Sequence, residues 1–344
     1  TSLAPVGAGL ALQPNAMTVL AEMQLADAVL AEGHQVGRAA IVDHAGRALG
    51  GEIDLEVLSA AVGAPVVAIH RARLHAVLHR AIRETDVTLG SEAASIDDTG
   101  GDVVVRCRDG RELRADLVVG ADGLRSVVRR HVVGDSEPVY SGYTSWRGVT
   151  RPGACPRLTR MTEAWGSGER FGMVAIGRGE IYWFAVADAP AGDADHDAHA
   201  ELVRRFGGWH HPVRAVLEAT DAAHVIRTDI SDRDPVRQWH RGRVVLLGDA
   251  AHPMTPNLGQ GACQAIEDAA ALAEELPVDG DVADALTRYE QRRIARANGI
   301  VLGARRFGQV AQWRHPVAVW LRNTAMQLTP ATVAARQAQS LWRR

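Results

Sequence analysis

The spacing of apolar residues changes several times along the chain, and each change marks a different element. Residues 242–276 read as a short apolar strand, a turn rich in Gly, Pro and Asn, and an Ala-rich helix. Near the start, a glycine-rich loop without a preceding strand leads into a helix predicted from about Pro14 to Leu30 and closed by Gly33. Residues 36–53 predict a β-hairpin whose turn is HAGR.

Two further patterns occupy residues 69–123. Leu74, Leu78 and Ile82 recur at i, i+4 and i+8, which predicts an amphipathic helix over 69–84. Short runs in which apolar and polar residues alternate follow this helix, and Gly-Gly and Asp-Gly turns separate them. They predict a set of hairpin strands that ends in ADLVVGADG.

The pattern becomes β-rich from about Val139 to Thr228, where Trp and Gly are frequent and a loop at 188–199 is full of Asp and His. Residues from 242 onward return to an α/β pattern, and everything beyond 261 is predicted to be helical. This order indicates a β domain inserted into an α/β domain. The cleft expected between two such domains is a preferred place for ligands.

Composition and charge exclude several classes of protein. The 344 residues carry a formal charge of -3, with 47% hydrophobic and 23% charged residues, which is typical of a globular protein and favours neither nucleic acid nor an anionic membrane as a partner. All 38 basic residues are Arg, so no Arg is taken as functional because of its type alone. Three widely spaced cysteines without a CxxC pair, no run of 18 apolar residues and no signal peptide predict a cytoplasmic protein without disulfides or zinc.

The strand and loop at 243–261 place glycines and an acid where a ligand can bind. A helix N-terminus carries unsatisfied N–H groups and about half a positive charge. Gly259 and Gly261 would therefore let a negatively charged ligand approach the backbone. Asp249, at the strand's end, is placed to accept hydrogen bonds from ligand hydroxyls, as acids do for ribose in dinucleotide folds. The alternative is a capped helix with a tight entry turn, and this stretch alone does not decide between them.

A second strand, loop and helix at 116–130 repeats the arrangement. Its strand ends in Gly-Ala-Asp-Gly, so Asp122 and Gly123 suit a phosphate or ribityl group, while Ser126 is equally placed to cap the helix. The helix also carries three arginines that are predicted to form a solvated face: Arg125, Arg129 and Arg130. Arg71, in the first turn of helix 69–84, is able to point at an anion, although most arginines on helix surfaces do not bind one.

These elements, in this order and with these spacings, resemble the single-component FAD-dependent monooxygenases, the aromatic-ring hydroxylase family that includes salicylate, para-hydroxybenzoate and urate hydroxylases. GADGLRSVVR resembles the family's DG motif, and GDAAHPMTPNLGQGACQAIEDAAAL is similar to its GD motif along nearly its whole length. VGAGLALQPNAMTVL and HRARLHAVL resemble the early FAD-binding segments. The resemblance covers essentially the whole chain.

The resemblance implies an α/β fold with a Rossmann-like FAD-binding domain of the para-hydroxybenzoate hydroxylase type, an inserted, mainly antiparallel β substrate domain, and C-terminal helices. The predicted boundaries are 1–35, 60–135 and 236–300 for the FAD-binding domain, 36–59 and 136–235 for the substrate domain, and 301–344 for the C-terminal helices. The family begins with a strand, a GxGxxG loop, a helix and a second strand ending in an acid, and residue 1 falls after this unit. We expect the molecule to contain such residues ahead of residue 1, because omitting a central parallel strand exposes its neighbours' backbone groups. Without them we expect no bound FAD.

A set of FAD contacts is implied as well. Arg71 would reach the ribityl or pyrophosphate region, the backbone near Ala93 would lie against adenine, and Asp249 would bind a ribityl hydroxyl or the pyrophosphate side. Asp122 and Gly123 would contact FAD and, transiently, NAD(P)H. The GD loop and the helix after it would present backbone N–H groups to the N1 and O2 edge of the isoalloxazine, where a helix dipole favours the anionic reduced flavin. The residues assigned to this contact are Gly259, Gln260, Gly261, Ala262 and Cys263, and Pro256 in the same loop is also assigned to cofactor binding.

The family's reaction is hydride transfer from NAD(P)H to FAD, reaction with O2 to a flavin C4a-hydroperoxide, and transfer of one oxygen to an electron-rich aromatic or heteroaromatic ring, with water excluded. Arg170 and Tyr182 match the positions where urate hydroxylases carry an Arg and a Tyr at the substrate. An Arg can hold an anionic or carbonyl-bearing substrate and a Tyr can orient it. The alternative is that both residues serve packing or salt bridges within the sheet.

Other conspicuous residues receive structural interpretations. His252 is predicted to make a structural hydrogen bond in its tight turn, Cys263 to be a small packed residue, and Trp146 to belong to the core. The run DADHDAHA at 193–200 is predicted to be a solvated loop and not a metal site. Four apolar residues near the C-terminus are predicted to pack on the domain and not to contact lipid: Val317, Val319, Trp320 and Leu321. Membrane association, as is conceivable for relatives that act on apolar substrates, is the alternative.

The leading hypothesis is therefore an FAD-dependent aromatic hydroxylase that uses NAD(P)H and O2. An epoxidase of the same fold and a non-catalytic flavin or small-molecule binding module are the alternatives. The predicted partners are an aromatic small molecule and O2, without nucleic acid or membrane, for a monomer or homodimer.

Overall fold

The chain forms two compact units in the structure, a computed structural model that describes residues 7–82, 85–193, 197–276 and 280–343. The first unit comprises residues 84–141 and 231–307, and the second comprises residues 4–83, 142–230 and 308–344, in their described parts. Residues 7–35 and 60–82, which we assign to the FAD-binding domain by resemblance, cluster with the β-rich part of the chain. The functional division into domains stays a prediction.

The described residues contain eleven α-helices and sixteen strands. The helices are α1 Pro14–Glu22, α2 Ala26–Glu32, α3 Leu55–Val62, α4 Arg71–Ala81, α5 Val127–Val133, α6 Ala198–Phe206, α7 Val213–Glu218, α8 Gly261–Glu275, α9 Val282–Ala311, α10 Pro316–Leu328 and α11 Ala331–Trp342. The strands are β1 Gly9–Leu12, β2 His34–Gln35, β3 Arg38–Asp43, β4 Ile53–Asp54, β5 Val67–His70, β6 Ala93–Asp98, β7 Val103–Cys107, β8 Glu112–Ala115, β9 Val118–Gly120, β10 Val139–Val149, β11 Met161–Trp165, β12 Glu169–Ala175, β13 Ile181–Asp188, β14 Ile226–Asp232, β15 His240–Arg241 and β16 Val244–Leu246.

Two small sheets organise the first unit. Strands β6, β7 and β8 form the hairpin series predicted from the Gly-Gly and Asp-Gly turns, and β15, β16 and β9 form a second sheet. Within that sheet β9 and β16 run parallel, with Gly120 opposite Leu246. The carboxyl ends of parallel strands lie at the same edge of a sheet, so the loops after β9 and β16 leave the sheet side by side. A core cluster that includes Val245, Leu246 and Tyr289 packs against this sheet.

A seven-stranded sheet dominates the second unit, in the order β14-β10-β13-β12-β11-β3-β4, beside a three-stranded sheet in the order β1-β5-β2. Side chains alternate between the two faces of a strand, and directly paired residues share a face. One face of the large sheet carries Trp146, Phe171 and Trp183, and it is covered by α6 and α7 through residues such as Phe206 and Leu217. This burial confirms the core assignment of Trp146. The opposite face carries both Arg170 and Tyr182.

The N-terminal part of the second unit differs from the prediction in two places. A strand, β1, precedes the first helix and pairs antiparallel with β5, so the expectation of a loop without a strand was wrong. The helix predicted to run from Pro14 to Leu30 is two helices, because Gln24 adopts a left-handed conformation at φ 60° between them. Gly33 follows the second helix, as predicted.

The predicted amphipathic helix at 69–84 is α4, which ends at Ala81. Its buried residues are Leu74 and Val77, and Ile82 lies beyond the helix in an exposed position. The run at 193–200 lies partly outside the described residues, and Asp197 caps the N-terminus of α6 through its side chain.

The C-terminal helices correct another expectation. Val317, Trp320 and Leu321 are 56%, 64% and 52% exposed, so they do not pack on the domain as predicted. The buried side of α10 is instead occupied by Arg322, whose guanidinium donates to the carbonyl oxygens of Ala311 and Gly166. Within the described ranges, none of the helices combines the length and the apolar character needed to span a bilayer.

The close contact between Phe184 and Gly172 yields a first prediction. A Cβ on Gly172 would lie 2.2 Å from the Phe184 ring, so Gly172→Ala is expected to destabilise the sheet by about 2 kcal/mol through overpacking. Thermal unfolding of Gly172→Ala, Phe184→Leu and the double variant measures the effect, and Phe184→Leu should relieve most of it. Gly208→Ala is the control, because no described atom lies within 4 Å of a Cβ there. Equal destabilisation by Gly172→Ala in both backgrounds would contradict the proposed clash.

Candidate active site

A tight corner joins β16 to α8 and carries most of the residues predicted to contact FAD. Gly248 and Gly259 adopt left-handed conformations, at φ 59° and 62°, which let the chain turn sharply. Asp249, Pro256 and Gly259 are exposed. The loop therefore presents an accessible surface at the start of α8.

The N-terminus of α8 is suited to a ligand. Its N-cap residue, Gln260, makes no capping hydrogen bond with its side chain, and the first turn contains no acid. Among the described residues, the nearest atom to a Cβ built on Gly261 would be Oδ1 of Asp249, 3.8 Å away, so there is space in front of the helix. Backbone N–H groups at a helix start lack intrahelical partners and favour negative charge. This cradle fits the electron-rich edge of a flavin.

The side chains behind the cradle are directed inward. The Oε1 of Gln260 accepts a hydrogen bond from the Nε2 of Gln264 at 2.9 Å, and both residues are buried. Cys263 is fully buried with its Sγ 3.8 Å from the carbonyl oxygen of Gly259, as expected of a small packed residue. Ala262 is exposed beside them. These residues would therefore contact a ligand through their backbone.

The second corner lies after β9, and its acidic side chain already bonds to the start of the helix that follows, α5. The carboxylate of Asp122 accepts hydrogen bonds from Ser126 Oγ at 2.5 Å and from the backbone N–H groups of Val127 and Val128 at 2.7 and 3.3 Å. Ser126 caps α5 by accepting from the N–H of Arg129, which confirms the capping alternative for that serine. Gly123 has φ 78° and no described atom within 4 Å of a Cβ. The FAD and NAD(P)H contacts of Asp122 and Gly123 stay predictions.

Arg129 joins the two corners of the first unit. Its side chain is buried, and Nη1 donates to the carbonyl oxygens of Ala250 and Ala251 at 2.9 and 2.7 Å. Burial, with Arg233 nearby, lowers the pKa of Arg129 to about 10, so the guanidinium stays charged near neutrality. The expectation of a solvated face was wrong for this arginine, because the unpaired carbonyls of the other corner bind it. The two motif corners thus converge, as the resemblance requires.

A buried polar network lies beneath the corner between β16 and α8, which carries the GD motif and is called the GD corner below. Asp268 accepts hydrogen bonds from the backbone N–H of Gly248 at 3.0 Å and from Nε of Arg293 at 2.7 Å, and its Oδ2 lies 2.5 Å from Nε2 of His252. The structural hydrogen bond predicted for His252 is therefore confirmed. Burial raises the pKa of Asp268, but His252 and Arg293 outweigh it, and the pKa lies below its usual range. Sequence reasoning missed Asp268 and Arg293, whose side-chain partners lie 16 to 29 residues away.

Two further predicted FAD contacts lie at the ends of elements. Ala93 begins β6 in the first unit, where it pairs with Cys107 next to a β-bulge. Arg71, in the second unit, is exposed at the first position of α4, and its N–H donates to the carbonyl oxygen of Ala8. Ala8 and His70 line a cavity of about 530 Å³ in that unit, a volume in the range of small-molecule sites.

Arg170 and Tyr182 share one face of the large sheet but differ in their surroundings. Arg170 is 2% exposed, and its guanidinium donates to Oε1 of Gln312 at 2.8 Å and Oε1 of Glu163 at 3.2 Å. Tyr182 is half-buried and lies against the backbone of Gly9, where a Cβ would be 2.4 Å from its ring. Burial raises the pKa of Tyr182, so its phenol stays protonated and able to donate. Their roles at the substrate stay predictions.

The same face carries two half-buried residues that sequence reasoning missed. Arg147 pairs in register with Phe184, and Val149, two residues on, pairs with Tyr182. Arg147 forms no ion pair with a described carboxylate, and its charge acts on the Tyr182 phenol. Phe184 lies over Gly172. The alternation within YTSWRG could have indicated Arg147, because Trp146 in the core directs its neighbour to the other face.

The geometry of the GD corner agrees with comparisons to known proteins. Residues 2–304 match the family described as FAD binding domain. The chain belongs to this family. It is 46% identical over 328 residues to the aurachin C monooxygenase/isomerase of Stigmatella aurantiaca, covering 95% of this chain and 85% of that protein. It is 32% identical over 352 residues to the 2-heptyl-3-hydroxy-4(1H)-quinolone synthase of Pseudomonas aeruginosa, covering 99% of this chain and 89% of that protein.

A solved structure gives the same result. Klebsiella pneumoniae HpxO, complexed with FAD and uric acid, matches with a TM-score of 0.91 at 28% identity, covering 98% of this chain and 88% of that one. The chain is an FAD-dependent monooxygenase, so the predicted enzyme class, cofactor and fold class are confirmed.

The open cradle at α8 yields a prediction for Asp249. Because its carboxylate is exposed, Asp249→Ala should leave the melting temperature of the FAD-free protein unchanged. It should weaken FAD binding about tenfold, since a charge-assisted hydrogen bond contributes about 1.5 kcal/mol or more. Titration of intact apoprotein with FAD, followed by flavin fluorescence, measures the effect. Unchanged affinity would mean that Asp249 does not contact FAD.

The buried network yields a prediction with a pH dependence. Asp268→Asn should destabilise the protein by about 3 kcal/mol at pH 7, because a buried carboxylate paired with Arg293 is lost. The pKa of Asp268 is lowered in the folded state, so its contribution is present above the unfolded-state pKa of about 3.9 and is lost as pH falls below it. Urea unfolding at pH 7, 5 and 3.5 measures this difference. Glu274→Gln, an exposed change on the same helix, is the control, and a difference that grew toward pH 3.5 would contradict the assignment.

Proposed function

We propose that this monooxygenase hydroxylates a fused nitrogen heteroaromatic ring that carries a ring carbonyl, with NAD(P)H as the electron donor. The observation that carries the proposal is the face of the large sheet on which Arg147, Tyr182 and Phe184 occupy neighbouring positions. A cation, a phenol and a flat aromatic ring together suit a planar, polar heterocycle. We propose that these three side chains bind the substrate.

Each of the three contributes a different interaction. The raised pKa of Tyr182 keeps its phenol neutral, so it donates a hydrogen bond to a carbonyl or ring oxygen. Arg147 would attract the electron-rich oxygens of the heterocycle. Phe184, whose ring lies next to Gly172, would offer an aromatic ring for offset stacking. Arg170 remains a predicted substrate residue, and its hydrogen bonds to Gln312 and Glu163 favour a supporting role for it.

The relatives support this substrate class. A quinolone is a fused bicyclic ring with a nitrogen and a carbonyl, and uric acid is a fused bicyclic with several of each. The names of two relatives refer to these compounds: the quinolone synthase at 32% identity and HpxO with bound uric acid at 28%.

We propose that the cofactor contacts follow the resemblance. The backbone from Gly259 to Cys263 and the carboxylate of Asp249 hold FAD, with Arg71 at its ribityl or pyrophosphate region. When bound, FAD supplies the redox chemistry that links NAD(P)H and O2 to oxygen insertion. The three free cysteines support a reducing compartment, and we place the protein in the cytoplasm.

The test compares three arms on the intact holoenzyme. 4-Quinolones and purines should accelerate NAD(P)H consumption with matched hydroxylated product, whereas simple phenols and salicylates should not. Stimulation by phenols or salicylates alone would overturn the proposed class.

The residue assignments are tested by substitution. Tyr182→Phe and Arg147→Gln should each lower kcat/KM about tenfold, the effect of one lost polar contact of about 1.4 kcal/mol, with flavin content and melting temperature unchanged. Arg38→Gln, an exposed change on the same sheet, is the control. If both variants retained normal kcat/KM on the best substrate, this face would not be the substrate surface.

A further inference from the structure

An apolar stripe runs along the exposed side of α10 in the second unit. Val317, Trp320, Leu321 and Leu328 follow the i, i+3, i+4, i+11 spacing of one helix face, and Leu328 is 77% exposed. Single exposed apolar residues are ordinary, but a contiguous stripe that includes Trp marks a surface with a binding role.

The stripe is held outward by the other side of the helix. The Arg322 guanidinium donates to the carbonyl oxygens of Ala311 and Gly166 at 2.8 and 2.9 Å and lies 5.1 Å from the centre of the Trp165 ring. The side of α10 that faces the protein is therefore anchored through a buried cation. Rotation of the helix to bury Trp320 would expose Arg322 and break both hydrogen bonds.

The part of the second unit that carries this stripe contains bases and lacks acids. Residues 308–344 include five arginines and none of the chain's 41 acidic residues, so this part carries a formal charge of +5. Arg336 and Arg343, on and just after α11, are exposed and form no ion pair with a described carboxylate. This exposed positive charge in a part of the chain without acids favours an anionic partner.

The start of α10 also carries positive charge and lacks acids. Arg314 and His315 immediately precede the helix, both are exposed, and its first turn contains no acid. A helix N-terminus favours acids and disfavours cations, so two bases there do not stabilise α10. Arg314 forms an ion pair with Asp188 at 3.7 Å. This end of the helix still presents exposed bases and no acid of its own.

We propose that α10 docks this chain on an anionic lipid surface, lying flat with Val317, Trp320, Leu321 and Leu328 in the interface. Trp and Leu next to arginines are the residues that interfacial helices place at the headgroup boundary. The 13 residues of α10 extend about 20 Å, enough to lie along a bilayer and too short to cross it. A second copy of the chain fits less well, because a twofold contact would bring the two basic segments together.

Vesicle binding tests the proposal on the intact protein without reference to activity. Co-sedimentation with vesicles of phosphatidylcholine containing 30% phosphatidylglycerol should give a partition coefficient at least tenfold above that for phosphatidylcholine alone. Raising NaCl from 0.05 to 0.5 M should lower it. Equal binding to both vesicle types, or no binding, overturns the proposal.

Two variants locate the surface. Trp320→Glu and Leu321→Glu should each reduce the partition coefficient at least tenfold with an unchanged melting temperature, because both side chains are exposed. Val57→Glu, the same kind of change at a 65% exposed position on α3, should bind like the natural protein. Analytical ultracentrifugation is run in parallel. A dimer that Trp320→Glu converts to monomer, without vesicle binding, would assign the stripe to a second copy and overturn the lipid assignment.

Discussion

The flavin cradle that we propose at the start of α8 depends on one constraint: its backbone N–H groups have to be available to the flavin while the loop that carries them stays fixed. A capping side chain would fix the loop but would occupy the site. Here the loop is held from beneath, by Asp268 bonded to the N–H of Gly248 and by Arg129 bonded to the carbonyls of Ala250 and Ala251. The buried charges are costly to desolvate, and each is compensated by hydrogen bonds in the corner it supports.

This arrangement explains why the parallel pair β9 and β16 matters. Pairing of Gly120 with Leu246 places the ends of both strands at one edge, and Arg129 then reaches across from α5 to the neighbouring loop. The two faces of the large sheet in the second unit also differ in the residues that they carry. Trp146, Phe171 and Trp183 bury one face, whereas Arg147, Arg170, Tyr182 and Phe184 lie among valines on the other.

Local pattern was enough to find the corners, since glycines, an acid at a strand end and a following helix are all visible in the sequence. It also identified Ser126 as a cap and His252 as a structural partner. It could not identify Arg129 or Asp268 as supports, because their partners are distant in sequence and an Arg or Asp on a helix is ordinarily solvated. Gln24 broke the first helix through a backbone conformation that no propensity indicates.

The C-terminal helices show a different limit of prediction from the sequence. An apolar helix is assumed to turn its apolar side inward, and α10 does the reverse, with Arg322 buried and Trp320 in solvent. The inversion is stable because Arg322 finds two carbonyl acceptors and the Trp165 ring, so the inward side is satisfied without apolar burial. Burying Trp320 and Leu321 would have contributed favourable free energy. A fold that leaves them exposed beside a segment without acids gives up that stabilisation, and a use for the exposed surface outside the molecule accounts for it.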